Sequence, residues 1–200
     1  MENKITVARQ NMYGFLSKLY LFEVEEEQLA ALKQMVFPQE CGNEDIKEGY
    51  QAMAAYLKEH EVSQDTLDDL AVDYARIFLS AGVAQGKAAF PYESVYTSKQ
   101  HLIMQEAGSS ASALFAQKGL EPRKDMYRVP EDHIGLLLEY MGRICEEEQD
   151  EQREFLKAHL NNWVPAFVQD VIKYSSTEFY RGLAKLTKGF LAMEKEYLAK

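Results

Sequence analysis

Cysteine, proline and tryptophan are scarce in this chain: its 200 residues hold two cysteines, five prolines and one tryptophan. Cys41 and Cys145 lie far apart and in no metal-type spacing, which excludes a disulfide framework and leaves one bridge at most. That usage suits a reducing compartment. Long apolar runs are missing too: nothing approaches the roughly 18 residues of a membrane-spanning helix. The start, Met1-Glu2-Asn3-Lys4, leads into a mixed polar and apolar stretch without a signal core, so a cytoplasmic location is expected. Positive charge is in short supply, with 22 Lys and Arg against 32 Asp and Glu and a formal charge of −10. Such a surface repels nucleic acid and anionic lipid and attracts cationic ligands at low salt.

Apolar and aromatic residues, in contrast, make up 46% and 12% of the chain. A chain of this length buries about 70% of its unfolded surface, and one domain over residues 1–200 is expected. The apolar residues recur at helical spacing. Val7, Met12, Phe15, Leu16, Leu19 and Tyr20 form one stripe, and Leu29, Leu32, Met35 and Val36 a second that Pro38 stops. Ile46, Tyr50, Met53, Ala54 and Leu57 follow, then Leu67, Leu70, Tyr74, Ile77 and Phe78 behind a Ser63 N-cap. Residues 80–96 read as irregular. A helix is expected from Ser98 to Lys118, closed by Gly119, and another from Pro130 with Ile134, Leu137, Leu138, Met141 and Ile144 buried. Asn161-Asn162 and Pro165 break and restart a later helix. Ser175-Ser176-Thr177-Glu178 reads as a capping box for the last one. No segment alternates with period two. The expected fold class is all-α, a single globular helical bundle of about eight or nine helices.

The usual catalytic signatures are absent. Gly82-Val83-Ala84-Gln85-Gly86-Lys87 has three residues between its glycines where a phosphate loop has four, and Ala88 stands where the Mg²⁺-binding hydroxyl belongs. It reads as a flexible turn. A di-metal carboxylate bundle needs Glu-x-x-His pairs, but Leu57, Ser98, Pro130 and Leu156 precede the four histidines at that spacing. His-Glu-x-x-His and Gly-x-Ser-x-Gly do not occur.

Two segments stand out. Phe90-Pro91-Tyr92-Glu93-Ser94-Val95-Tyr96 is a rigid aromatic loop carrying a carboxylate and a hydroxyl, the makeup of many recognition surfaces. Pro130-Glu131-Asp132-His133-Ile134 sets two acids and an imidazole on the first turn of the expected sixth helix. Glu131, Asp132 and His133 admit three readings: complements to the helix dipole, an acid–base pair, or a rim that receives cationic side chains by charge-assisted hydrogen bonds. Tyr74, Ile77 and Phe78 are expected to pack as core and to floor a groove. A concave, acid-rimmed aromatic groove for a peptide accommodates both segments.

Taken together, Tyr74-Ala75-Arg76-Ile77-Phe78, the Phe90–Tyr96 loop, Pro130–Ile134 and the segment His159–Phe167 with Phe179-Tyr180 resemble the TorD/DmsD family of cytoplasmic chaperones for molybdenum-containing redox enzymes. The resemblance covers most of residues 8–195. It implies an all-helical, non-catalytic protein that binds the twin-arginine leader of an apo-molybdoenzyme and aids its maturation before export. It transfers leader-binding roles to Tyr74, Ile77, Phe78, Pro91, Tyr92, Ser94, Asp132 and His133. Glu93, Tyr96 and Glu131 join them on chemical grounds, the acids facing arginines and the rings covering an apolar stretch. The family loop often carries two prolines before its aromatic, and here Phe90 takes the first place. The resemblance also implies a monomer or an exchanged-helix dimer, with residues 119–129 as the hinge, and no cofactor beyond weak guanine nucleotide binding. Two other functions stay open: a small enzyme using Asp132 or Glu93 with His133, and a helical assembly adaptor without cationic preference.

Overall fold

The helical periodicity of the chain becomes ten α-helices in the computed structural model, which describes residues 2–38, 42–79, 81–82, 86–103, 105–120 and 129–199. They are α1 (Glu2–Leu21), α2 (Glu26–Gln34), α3 (Glu44–Glu59), α4 (Gln64–Phe78), α5 (Glu93–Thr97), α6 (Glu106–Gln117), α7 (Ile134–Arg143), α8 (Gln149–His159), α9 (Val164–Tyr174) and α10 (Glu178–Leu198). A 3₁₀ turn, Ile144–Glu146, follows α7. All but α5 are nine residues or longer, which accords with the expected eight or nine helices, and no β-strand occurs among the described residues. Cys41, Val83–Gln85 of the glycine turn and residues 121–128 of the expected hinge lie outside the described residues.

The chain forms two compact units. The first comprises Met1–Phe22, Pro91–Val164 and Lys195–Lys200. Here α1 packs along α7. Two glycines seven residues apart on α7 make the approach close. A Cβ on Gly135 would fall 2.4 Å from Leu21 Cγ, and one on Gly142 would lie 3.2 Å from Tyr13 Cβ. The buried face of α1 is Tyr13, Leu16, Leu19 and Tyr20, whereas Val7 is exposed. An aromatic run, Phe115, Tyr140, Phe155 and His159, continues the core with centroids 4.9, 4.5 and 5.0 Å apart.

The second unit comprises Glu23–Phe90 and Pro165–Glu194. Its helices α3 and α10 cross at Gly49 and Gly182, where a Cβ on either would lie within 2.8 Å of the other helix's backbone. Only hydrogen at both positions permits that crossing. Ser63 caps α4 as expected, its Oγ accepting from Thr66 N. The start of α10 differs from the expected capping box. The helix begins at Glu178, and the buried Asp73 of α4 accepts from Ser176 N, Thr177 N (2.8 Å) and Thr177 Oγ1 (2.7 Å). A carboxylate from a distant helix thus satisfies the Ser176 and Thr177 amides, while Ser175 N, the amide that a Ser175–Glu178 box would pair with Glu178, donates to Val171 O.

Helix boundaries around the recognition segments also differ from expectation. Glu93–Thr97 is helical, not irregular, and the helix expected from Ser98 starts at Glu106. Between them the chain reverses at His101, which has a φ of 52° and whose ring donates to Val95 O at 2.8 Å. Gly119, with a φ of 65°, ends α6 as expected, and Leu120 N closes back on Phe115 O.

Candidate functional site

Pro130 does not open a helix. Helix α7 starts at Ile134, so Glu131, Asp132 and His133 form the turn before it rather than its first turn. His133 is the N-cap, and its Nδ1 accepts from Gly135 N at 3.1 Å. That bond leaves the ring proton on Nε2. The ring is buried, and desolvation pulls its pKa down to about 3, so the imidazole is neutral at ordinary pH. A neutral cap leaves His133 neither a cation at a rim nor a base paired with its neighbouring acid.

The two conspicuous sequence segments meet. Glu93 N donates to Asp132 O at 3.0 Å and Ile134 N to Pro91 O at 2.8 Å, which brackets a single antiparallel bridge between Tyr92 and His133. The rings of Tyr92 and His133 contact edge to face with centroids 5.1 Å apart. Asp132 completes the joint. Its Oδ2 accepts from Ser94 N at 2.9 Å and from Ser94 Oγ at 2.5 Å, so it anchors the start of α5. Its Oδ1 is buried and has no hydrogen-bond partner among the described residues. Burial and the Asp132 carboxylate both push the half-buried Tyr92 phenol upward, which keeps it a hydroxyl donor.

Glu93 turns inward. His159 Nδ1 donates to its Oε2 at 2.9 Å and Asn162 Nδ2 to its Oε1 at 3.3 Å. Ser110 Oγ stands 3.5 Å from His159 Nε2, the outer limit of a hydrogen bond. This buried chain ties α5 to the end of α8, and Trp163 locks the same turn by donating to His159 O. Tyr96, half-buried, lies on Trp163 at 5.5 Å. Reasoning from sequence missed His159 and Asn162 as partners of Glu93; their only signal was two polar side chains three residues apart, with Leu160 and the polar Asn161 between them.

Of the expected acidic rim, only Glu131 is partly exposed; Glu93 and Asp132 are buried and engaged within the unit. The reason is electrostatic: a carboxylate taken out of water requires donors, and Ser94, His159 and Asn162 supply them. Pro91, Tyr92, Glu93, Ser94, Tyr96, Glu131, Asp132 and His133 all belong to the first unit. Tyr74, Ile77 and Phe78 belong to the second, where they are buried. There Phe78 meets Phe167 and Tyr180 at 6.1 and 5.7 Å and Tyr74 meets Phe78 at 5.1 Å. Among the described residues no group of three or more His, Cys, Asp or Glu side chains could hold a metal ion, and the buried thiol of Cys145 donates to Met141 O. No helix among them is long and apolar enough to cross a membrane.

The family profile described as nitrate reductase delta subunit matches residues 39–169. The chain belongs to this family. The family's curated relatives carry the name of chaperone, a binding role and not a catalytic one. Chaperone protein TorD of Vibrio vulnificus (strain YJ016) is 26% identical over 95% of this chain and 94% of its own length. Chaperone protein TorD of Shewanella sp. (strain ANA-3) is 29% identical, with 97% and 95% covered. A crystal structure from Archaeoglobus fulgidus, assigned as a redox enzyme maturation protein, superposes with a TM-score of 0.52. It covers 96% of this chain and 94% of that one at 18% identity, a likeness of fold. The TorD-type resemblance read from Tyr74–Phe78, Phe90–Tyr96, Pro130–Ile134 and His159–Phe167 therefore agrees with the comparisons.

Proposed function

We propose that this protein is a cytoplasmic chaperone that binds the twin-arginine leader of an apo-molybdoenzyme and holds it until the enzyme is mature. The observation that carries the reading is the joint between the α5 start and the turn before α7. It offers a buried carboxylate with one oxygen unpaired among the described residues, a partly exposed carboxylate in Glu131 and the half-buried ring of Tyr92. A peptide with adjacent guanidinium groups and an apolar stretch is complementary to such a surface. The net charge of −10 speeds its encounter at low salt. The family membership and the TorD relatives support the same role. The reading requires no metal or nucleotide, and His133, neutral and spent on capping, gives no support to an acid–base enzyme.

Calorimetric titration with a synthetic twin-arginine leader, and with the same peptide carrying glutamine at both arginines, tests the proposal. Saturable binding of the first and at least tenfold weaker binding of the second are expected. Equal affinity for both favours an adaptor without cationic preference.

A further inference from the structure

One face of α6 lacks bulk. Gly108, Ser112 and Ala116 recur at four-residue spacing, with Ala113 beside them, and together with Pro130 and Glu131 they line a cavity of about 520 Å³. No lysine, arginine or histidine lines it among the described residues. Small residues alone do not make a site. The second observation lies behind Gly108: a Cβ built there would stand 3.5 Å from Asp132 Oδ1, the carboxylate oxygen that is buried and unpaired among the described residues. Both features belong to the first unit.

We infer that this face of α6 is the subsite for a cationic residue of a bound peptide, and that Gly108 determines its specificity. The inference rests on the leader-binding reading above and names where one charged side chain goes. A bare α-carbon lets an incoming chain approach the helix closely. The space its Cβ would fill is the space next to Oδ1. A guanidinium or ammonium entering past Gly108 meets Asp132 Oδ1 at the inner end and Glu131 at the outer, two carboxylates with no competing cation among the described residues that line the cavity. The unpaired oxygen gives the direction of the preference. A buried carboxylate oxygen without a donor is costly, and a charged donor from the ligand removes that cost. The small side chains beyond, at Ser112 and Ala116, leave room for the peptide backbone on either side.

Gly108→Ala separates this role from a folding role. The new methyl would meet Asp132 at 3.5 and 3.7 Å, ordinary contact distances, so the fold tolerates it. Alanine also favours the helix over glycine. Thermal melts of the full chain and calorimetry with the twin-arginine leader are the readouts. The expected result is a melting midpoint equal to or above wild type together with at least a tenfold rise in Kd. Ala113→Leu, an exposed helical position on the same cavity, fills the space without touching Asp132 and is expected to give the same loss. A folded Gly108→Ala that binds as wild type, or wild-type binding by Ala113→Leu where Gly108→Ala fails to fold, overturns the inference and leaves the leader-binding reading standing. Failure of the wild-type chain to bind the leader overturns both.

Discussion

Replacing Asp132 by asparagine removes a charge while keeping the shape of the joint. The side chain is fully buried, and Oδ2 holds Ser94 through its amide at 2.9 Å and its hydroxyl at 2.5 Å. An asparagine oxygen takes over both bonds, and its amide group occupies the place of Oδ1. Those two bonds weaken, because charge-assisted bonds are about twice as strong as neutral ones. Against that, an incompletely paired charge no longer has to be buried. The opposing effects leave stability within about 1 kcal/mol of wild type. Binding of a cationic leader has no such compensation. Losing one hydrogen bond to a charged group costs about 1.5–3 kcal/mol, so Kd rises roughly 10- to 150-fold. Alanine is a poorer probe. It strips Ser94 N–H and its hydroxyl of their acceptor, at about 1–3 kcal/mol for each donor left unpaired, and the start of α5 goes with them. Calorimetry on Asp132→Asn, paired with a urea melt, reads both quantities. An unchanged Kd with an unchanged melt refutes the assignment of Asp132 to cation binding.

Three further outcomes follow from particular contacts. His133 stays neutral when folded, with a pKa of about 3, but takes a proton near 6.5 when unfolded, so the unfolded state binds more protons below that pH and stability falls as the solution is acidified. The loss from this group is about 1.4 kcal/mol at pH 5.5 relative to pH above 7.5; His133→Asn, a non-titrating cap, should flatten that part of a pH series of chemical melts, and an identical slope in both proteins contradicts the assignment. Gly182→Ala would drive a methyl to 2.7 Å from Gly49 O, an overpacked crossing that costs at least about 2 kcal/mol and lowers the melting midpoint by about 4–8 °C. Asp73→Ala leaves the Ser176 and Thr177 amides at the start of α10 without their acceptor and should cost about 3–5 kcal/mol in the same melts, whereas Asp65→Ala on the first turn of α4 should cost far less.

Much of this protein is legible in its sequence, and the failures have physical causes. The period of 3.6 in Ile134, Leu137, Leu138 and Met141 is a local property, and those positions are indeed buried. Ser63 and Gly119 work as caps because a cap is made by neighbours in the chain. Pro130 misled because proline at a first helical turn and proline before a tight turn look alike in sequence; the bond from Ile134 N to Pro91 O, which fixes the helix start four residues later, joins residues 43 apart. The capping box at Ser175–Glu178 failed for a similar reason, since Asp73, 103 residues from Ser176, binds the Ser176 and Thr177 amides and the helix starts only at Glu178. The same limit governs the site. The residue types at Tyr92, Ser94, Asp132 and His133 announced a joint worth building, but the inward turn of Glu93 depends on His159 and Asn162, which no local pattern pairs with it. Gly108 carried no signal at all, because its meaning lies in the unpaired oxygen behind it.

The central claim, that the joint between Tyr92–Thr97 and Glu131–Gly135 grips a cationic export leader, is tested most directly by mapping backbone amide signals during titration with the twin-arginine peptide. At saturation the largest shifts are predicted at Tyr92–Thr97, along α6 from Gly108 to Ala116 and at Glu131–Gly135. Saturable binding that leaves those three segments unshifted would contradict the account.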